Sequence, residues 1–207
     1  MELFDTINDS TKNILPCDGE AYYYGKIIST EQSTLFFDQL LANVNWVNDE
    51  TTIFGKKIIT KRKTAWYGDA AHAYTYSGHT RIALPWTSTL LQLKQLMESH
   101  TGHLYNSCLL NLYHNGTEGM GWHSDAEKEL EKDGAIASFS LGAERKFIFK
   151  HKASGLLVPL MLQQGSLLLM KGVTQTHWLH RLAPQKAVLH PRINLTFRTI
   201  RVLSHKS

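Results

Sequence analysis

Asn111-Leu-Tyr-His-Asn-Gly-Thr-Glu-Gly-Met-Gly-Trp-His-Ser-Asp125 is the stretch on which the reading of the whole chain turns. It opens as a strand, with Asn111 and Tyr113 on one face and Leu110 and Leu112 on the other. Glycines at 116, 119 and 121 then break it into a loop. It closes on His123 and Asp125, two metal-ligand side chains one residue apart. In extended backbone both project from the same face. An imidazole and a carboxylate aimed together hold a divalent metal only with help from elsewhere. A lone His-x-Asp triplet is also common in ordinary surface loops.

Downstream of this stretch the chain is strand-like. Runs at Cys108–Tyr113, Ile136–Leu141, Lys146–Lys150, Leu156–Leu162, Ser166–Met170, Trp178–Leu182 and Ile193–Ile200 follow one another, most of them separated by turn residues. Many short strands without intervening helices argue for a sandwich or a jelly roll. Upstream, Tyr22–Ile28 reads as a strand. Ser29 and Thr30 offer an N-cap for a helix carrying Leu35, Phe36 and Leu40 to about Val44. Thr51–Thr64 reads as a hairpin turning near Gly55, with a basic rim of Lys56, Lys57, Lys61, Arg62 and Lys63. A second helix starts at Pro85-Trp86-Thr87-Ser88 and stops at Gly102. The class is α+β and mainly β, with the two helices packed outside one sheet.

Composition narrows the setting. The chain has 207 residues, is 43% hydrophobic and carries a formal charge of +4, which suits one domain with a sizeable core. The mild basic excess permits nucleic-acid binding without requiring it. Cys17 and Cys108 form no Cys-x-x-Cys pair, so a reducing, intracellular compartment is expected. Met1–Asp5 does not read as a signal peptide, and the longest apolar runs are too short to cross a bilayer. Residues 1–20 read as a flexible arm, and 21–207 as one domain.

The second informative stretch is Arg192-Ile-Asn-Leu-Thr-Phe-Arg198. Period two puts Arg192, Asn194, Thr196 and Arg198 on one face, with the guanidiniums ~20 Å apart at a rise of ~3.3 Å per residue. Arginines inside a small β-barrel need anions, and a carboxylate fits the guanidinium fork. A dicarboxylic ligand or a metal-bound Asp would serve; a solvent-facing strand is the plainer alternative. The third metal ligand is to come from His177, His180 or His190, among which spacing does not choose.

Together, Asn-x-Tyr, His-x-Asp and Arg-x-Asn-x-Thr-x-Arg resemble the AlkB family of Fe(II)- and 2-oxoglutarate-dependent dioxygenases, from about Phe54 to Ile200. Tyr-Gly-Asp, Tyr-x-Tyr-Ser-Gly and Thr-His-Trp-x-His are most like its duplex-DNA-repair branch. The resemblance implies a double-stranded β-helix, with 107–203 as catalytic core and 21–106 as a nucleotide-recognition elaboration. It implies His123, Asp125 and His180 as iron ligands, His180 being preferred by its distance to Arg192. Arg192 would pair the distal carboxylate of 2-oxoglutarate, with Asn111, Tyr113 and Asn194 as further contacts. Arg198 would support Asp125 and the near end of the co-substrate. Tyr74, Tyr76 and Glu127 would line a base pocket, with Trp66 and Tyr67 as weaker candidates.

The implied reaction is oxidative demethylation of N1-methyladenine and N3-methylcytosine in DNA, with iron, O2 and 2-oxoglutarate, releasing formaldehyde, succinate and CO2. The base must leave the duplex to reach the iron. Phe54, at the hairpin tip, resembles the finger that fills the gap, and Arg62 and its neighbouring lysines would grip phosphates. The expected protein is a monomer, cytoplasmic in a bacterium or nuclear in a eukaryote. Competing readings are an RNA or single-strand demethylase, a non-catalytic damage-recognition module, and a zinc hydrolase; the paired arginines disfavour the last.

Overall fold

The computed structural model describes residues 10–53, 56–69, 73–76 and 79–201, without the side chains of 49–53, 56–58, 73–76 and 79–81. Phe54 and the side chains of Tyr74 and Tyr76 therefore lie outside the described residues. Strand β1 (Glu20–Lys26) leads into helix α1 (Thr30–Asn43) and the hairpin β2 (Val47–Ile53) and β3 (Lys56–Gly68). A short pair, β4 (Ala73–Tyr76) and β5 (His79–Ile82), precedes β6 (Leu84–Pro85) and helix α2 (Ser88–Thr101). There follow β7 (Ser107–Tyr113), β8 (Met120–His123), β9 (Ile136–Gly142), β10 (Arg145–His151), β11 (Leu157–Leu162) and β12 (Ser166–Lys171). A single-turn helix α3 (Thr174–His177), β13 (Trp178–Leu182) and β14 (Arg192–Arg198) complete the chain.

The larger sheet runs β1-β12-β9-β14-β7-β3-β2, with β6 beside β3, and the smaller runs β11-β10-β13-β8. From β7 to β14 the chain changes sheet at every step except β10 to β11, which pair within the smaller sheet. This alternation winds the strands into the jelly roll that the strand spacing predicts. Its central strands are covered on both faces, which is why β12, Ser-Leu-Leu-Leu-Met-Lys, is almost continuously apolar.

Two cores result. On the outer face of the larger sheet, Leu110 and Leu112 of β7, Phe139 of β9 and Ile193, Leu195 and Phe197 of β14 pack under Leu40 of α1 and Leu90, Leu93 and Met97 of α2. Between the sheets, Phe147 and Phe149 of β10 and Trp178 of β13 meet Tyr23, Leu168 and Met170. The two long helices begin and end where the sequence predicts, while the single turn α3 is not anticipated. Ser29 Oγ accepts from Gln32 N–H while Gln32 Oε1 accepts from Ser29 N–H, each at 3.2 Å. Gly102 ends α2 in left-handed backbone at φ 71°.

Two elements differ from the sequence reading, and a third is decided between its alternatives. Met120–His123, read as loop, is strand β8, because its backbone finds a partner in β13. Trp66 and Tyr67, weighed evenly between pocket and core, lie inside β3 and are buried at 4% and 3% exposure, which is the core reading. Residues 10–20, read as part of a flexible arm, form a tied loop: Asn13 Oδ1 accepts from Leu15 and Ala21 N–H, and Leu15 is buried. One Asx side chain can close such a loop locally, and that signal is easily missed in a polar stretch.

Candidate active site

The opening stretch is held in shape by close backbone approach. Gly116 N–H donates to Val188 O, and Gln185 N–H donates to Gly116 O, both at 2.7 Å. A Cβ on Gly116 would stand 1.9 Å from Gln185 O, so only glycine fits. Arg145, fully buried, ties the same loop by donating to Glu118 O at 2.7 Å and Ala183 O at 3.0 Å. Sequence reasoning missed Arg145, since nothing in Glu144-Arg145-Lys146 marks it as a buried clamp.

Past the loop, β8 and β13 pair with His123 directly opposite His180. The two rings meet edge to face at 4.3 Å between centroids. Asp125 lies just beyond β8, where its N–H donates to Gln175 Oε1 at 2.9 Å. Ligand atoms of His123, Asp125 and His180 all lie within 4.8 Å of one another. Of the three histidines between which spacing left the choice open, His177 and His190 are exposed and stand outside this trio.

The donor set suits iron. His123 Nδ1 sits 2.8 Å from Gly121 O and donates to it, which leaves Nε2 with a lone pair. Burial, then the neighbouring His123, Arg198 and Lys152, push His180 well below the usual histidine range, so its ring is neutral and able to bind a metal. His180 Nδ1 is buried without a hydrogen-bond partner. Two imidazoles and one carboxylate form a facial triad that leaves iron positions open.

The opposite wall is β14 with its neighbours β7 and β9. Register sets Arg192 opposite Tyr113 and Asn194 opposite Asn111, so the four polar side chains share one inward face. Arg192 is 1% exposed and donates to Ser140 Oγ at 3.0 Å and Asn194 Oδ1 at 2.9 Å. Its guanidinium stacks over Tyr113 at 5.7 Å. Its Nε is buried without a partner, and no carboxylate pairs with it among the described residues. Burial, reinforced by Arg145, pulls its pKa down to about 10. This is a buried cation prepared for a carboxylate that the described residues do not themselves provide.

Arg198, also 1% exposed, places Nη1 3.9 Å from Asp125 Oδ1 and 3.5 Å from Glu127 Oε1. Its guanidinium lies over the Trp66 ring at 5.4 Å, which gives Trp66 a backing role. Glu127, expected in the base pocket, leans on Arg198 and lines a hollow of about 210 Å³ beyond Asp125. Arg62, expected among phosphate contacts on a basic rim, is buried at 7% exposure, with Nη1 2.6 Å from Met120 Sδ. It lines the cavity that also holds the trio, Asn111, Tyr113, Arg192 and Asn194.

A jelly roll with two histidines and a carboxylate facing a buried, carboxylate-seeking arginine is the arrangement of a non-haem iron oxygenase that takes a dicarboxylate co-substrate. The family described as the 2OG-Fe(II) oxygenase superfamily matches residues 20–198. The DNA oxidative demethylase ALKBH2 of Mus musculus is 42% identical over 178 residues, covering 82% of this chain and 72% of the relative. Bos taurus alpha-ketoglutarate-dependent dioxygenase alkB homolog 3 is 37% identical over 188 residues, covering 84% and 63%. The solved structure of OsALKBH1 covers 89% of this chain and 98% of its own, with a TM-score of 0.60 at 15% identity, a likeness of fold. The chain therefore belongs to the AlkB family of Fe(II)- and 2-oxoglutarate-dependent dioxygenases, and its cofactor and co-substrates are Fe(II), 2-oxoglutarate and O2. It spans between 62% and 72% of the length of its mammalian ALKBH2 relatives.

Proposed function

We propose that the chain removes N-methyl groups oxidatively from alkylated DNA bases, N1-methyladenine and N3-methylcytosine first, releasing formaldehyde, succinate and CO2. The observation that carries this is Arg192, buried with no carboxylate beside it among the described residues, across one cavity from His123, Asp125 and His180. The mammalian relatives named as DNA oxidative demethylases support the substrate class. Iron, once bound, would couple O2 and 2-oxoglutarate to the oxidation of the N-methyl group.

The chain's residues do the rest. His123, Asp125 and His180 hold the metal by one face. Arg192 takes the distal carboxylate of 2-oxoglutarate, while Asn111, Tyr113 and Asn194 orient it. Arg198 holds Asp125 in register. Glu127 and Arg62 border the space left for the base, with Tyr74 and Tyr76 as further wall. Residues 21–106 serve nucleotide recognition and 107–203 the chemistry. The enzyme acts as a monomer on a flipped base, in whatever compartment holds the DNA, the nucleus in a eukaryote or the cytoplasm in a bacterium.

The test is release of formaldehyde and succinate from N1-methyladenine in duplex DNA, single-stranded DNA and RNA, with iron and 2-oxoglutarate added or withheld. Release that depends on both and vanishes in Asp125→Ala is the expected result. Turnover confined to RNA would move the substrate, and an Asp125→Ala variant releasing formaldehyde at the unaltered rate would remove Asp125 from the metal.

A further inference from the structure

A second group of metal-binding side chains stands apart from the iron trio. Ligand atoms of Cys17, Asp18 and His151 all lie within 4.8 Å of one another. Cys17 and Asp18 belong to the loop before β1, and His151 ends β10. That loop is anchored on both sides of the pair. Trp178 Nε1 donates to Cys17 O at 3.0 Å, and Asn13 Nδ2 donates to Gly19 O at 2.8 Å. Asp18 holds left-handed backbone at φ 48°, which aspartate adopts more readily than most side chains.

The independent pointer is His151. It is only 6% exposed, and its Nε2 is buried without a hydrogen bond. Asp18 Oδ2 comes within 3.3 Å of Nε2, near enough for charge attraction but misaligned for donation. On the other side of the ring, Nδ1 lies 2.8 Å from Ser154 Oγ. Donation from Nδ1–H to that hydroxyl leaves a lone pair on Nε2, aimed into the gap between Asp18 and Cys17. The Ser154 N–H also approaches Nδ1, at 3.2 Å, and favours the other tautomer in the metal-free protein. A cation entering the gap selects the ligating tautomer: the ring proton leaves Nε2 and, by exchange with solvent, Nδ1 takes one up and donates it to Ser154 Oγ.

We propose that Cys17, Asp18 and His151 form a second metal site, for a zinc-type divalent cation, which staples the loop before β1 to the end of β10. Thiolate, imidazole and carboxylate are the donors that zinc combines, and three of them leave a fourth tetrahedral position for water. Bonds of ~2.0–2.3 Å bring such donors to roughly 3.3–3.8 Å from one another. Cys17 and Asp18, both exposed, close the remaining distance by side-chain rotation around the fixed His151. Binding releases the thiol proton of Cys17 to solvent. The site has sulfur and the iron trio has none, so the two are distinguishable by their spectra.

The test is titration of the metal-free full-length chain with Co(II). The expected result is two equivalents bound, one of them producing thiolate-to-metal charge-transfer absorption in the near ultraviolet. Cys17→Ser should lose that band and one equivalent, and His151→Gln should do the same. His123→Ala should keep the band and lose the other equivalent. Zinc should raise the melting temperature of His123→Ala but not that of the His123→Ala, Cys17→Ser double variant. A single equivalent without a thiolate band would overturn the proposal. So would a band that survives in Cys17→Ser, which would assign it to Cys108, a fully buried cysteine whose thiol is pushed up by burial.

Discussion

Arg192 is a charge buried at 1% exposure, and its pKa, drawn down to about 10, records the cost of leaving water unpaired. On the proposed reading, the co-substrate's carboxylate offsets that cost, and co-substrate affinity then depends on this one side chain. Arg192→Ala should weaken 2-oxoglutarate by about 2–5 kcal/mol, roughly thirtyfold or more, while leaving iron affinity near its starting value. Titrating succinate release against 2-oxoglutarate with DNA saturating reads this directly. As a second readout, 2-oxoglutarate should raise the melting temperature of the iron-loaded parent chain and have little effect on the variant. An unchanged apparent affinity would mean that the dicarboxylate docks elsewhere. The period-two reading of β14 anticipated the inward face, because alternation along a strand is a geometric necessity. It could not choose among three histidines, since the choice depends on which one β13 brings opposite His123.

At the scale of elements, the loop from His114 to Gly119 is built on contacts that leave no room for a side chain. Gly116→Ala would drive a Cβ into Gln185 O, a backbone atom with no freedom to yield. The loop must shift, and destabilisation of about 1–3 kcal/mol is expected, read as a lowered urea midpoint with an unaltered slope. Formaldehyde release should fall as well, because β8 follows this loop directly. The β2–β3 hairpin carries a different expectation. Ile53 pairs with Lys56, leaving Phe54 and Gly55, which lie outside the described residues, as the connection. If Phe54 fills the gap left by a flipped base, Phe54→Ala should impair demethylation in duplex DNA and largely spare single strands. Equal loss on both substrates would return Phe54 to ordinary packing. Most strands and both long helices were legible because each carries its own periodicity or caps. β8 was not, since Met-Gly-Trp-His has no alternation and becomes a strand only by pairing with β13. Arg145 was invisible for the same reason: its partners are carbonyls brought near by tertiary contact.

At the scale of the whole molecule, the outer core joins both helices to the larger sheet and carries a group that makes stability fall at alkaline pH. Tyr105 is 2% exposed, packs on Phe197 and shares a hydrogen bond with Thr101 Oγ1 at 3.0 Å. Burial raises its pKa from 10.0 to about 12. The folded value lies above the unfolded one, so this contribution is complete below pH 10.0 and is lost as pH rises to about 12. The loss is on the order of 2–3 kcal/mol. Tyr105→Phe should flatten the decline of unfolding free energy across that window, measured by urea titration at several alkaline pH values. A variant that declines as steeply as the parent would shift the effect to other groups.

The interleaving of the two sheets also has a consequence for synthesis. β1 lies against β12, and β14, almost the last element made, is inserted between β9 and β7. Contacts so distant along the chain make folding slow, on the order of milliseconds to seconds. A nascent polypeptide still lacking β14 has His123, Asp125 and His180 but no strand joining the two halves of its larger sheet. Ribosome-stalled chains ending before Arg192 should therefore remain protease-sensitive and fail to retain 2-oxoglutarate, and both properties should change together once Arg198 has cleared the exit tunnel.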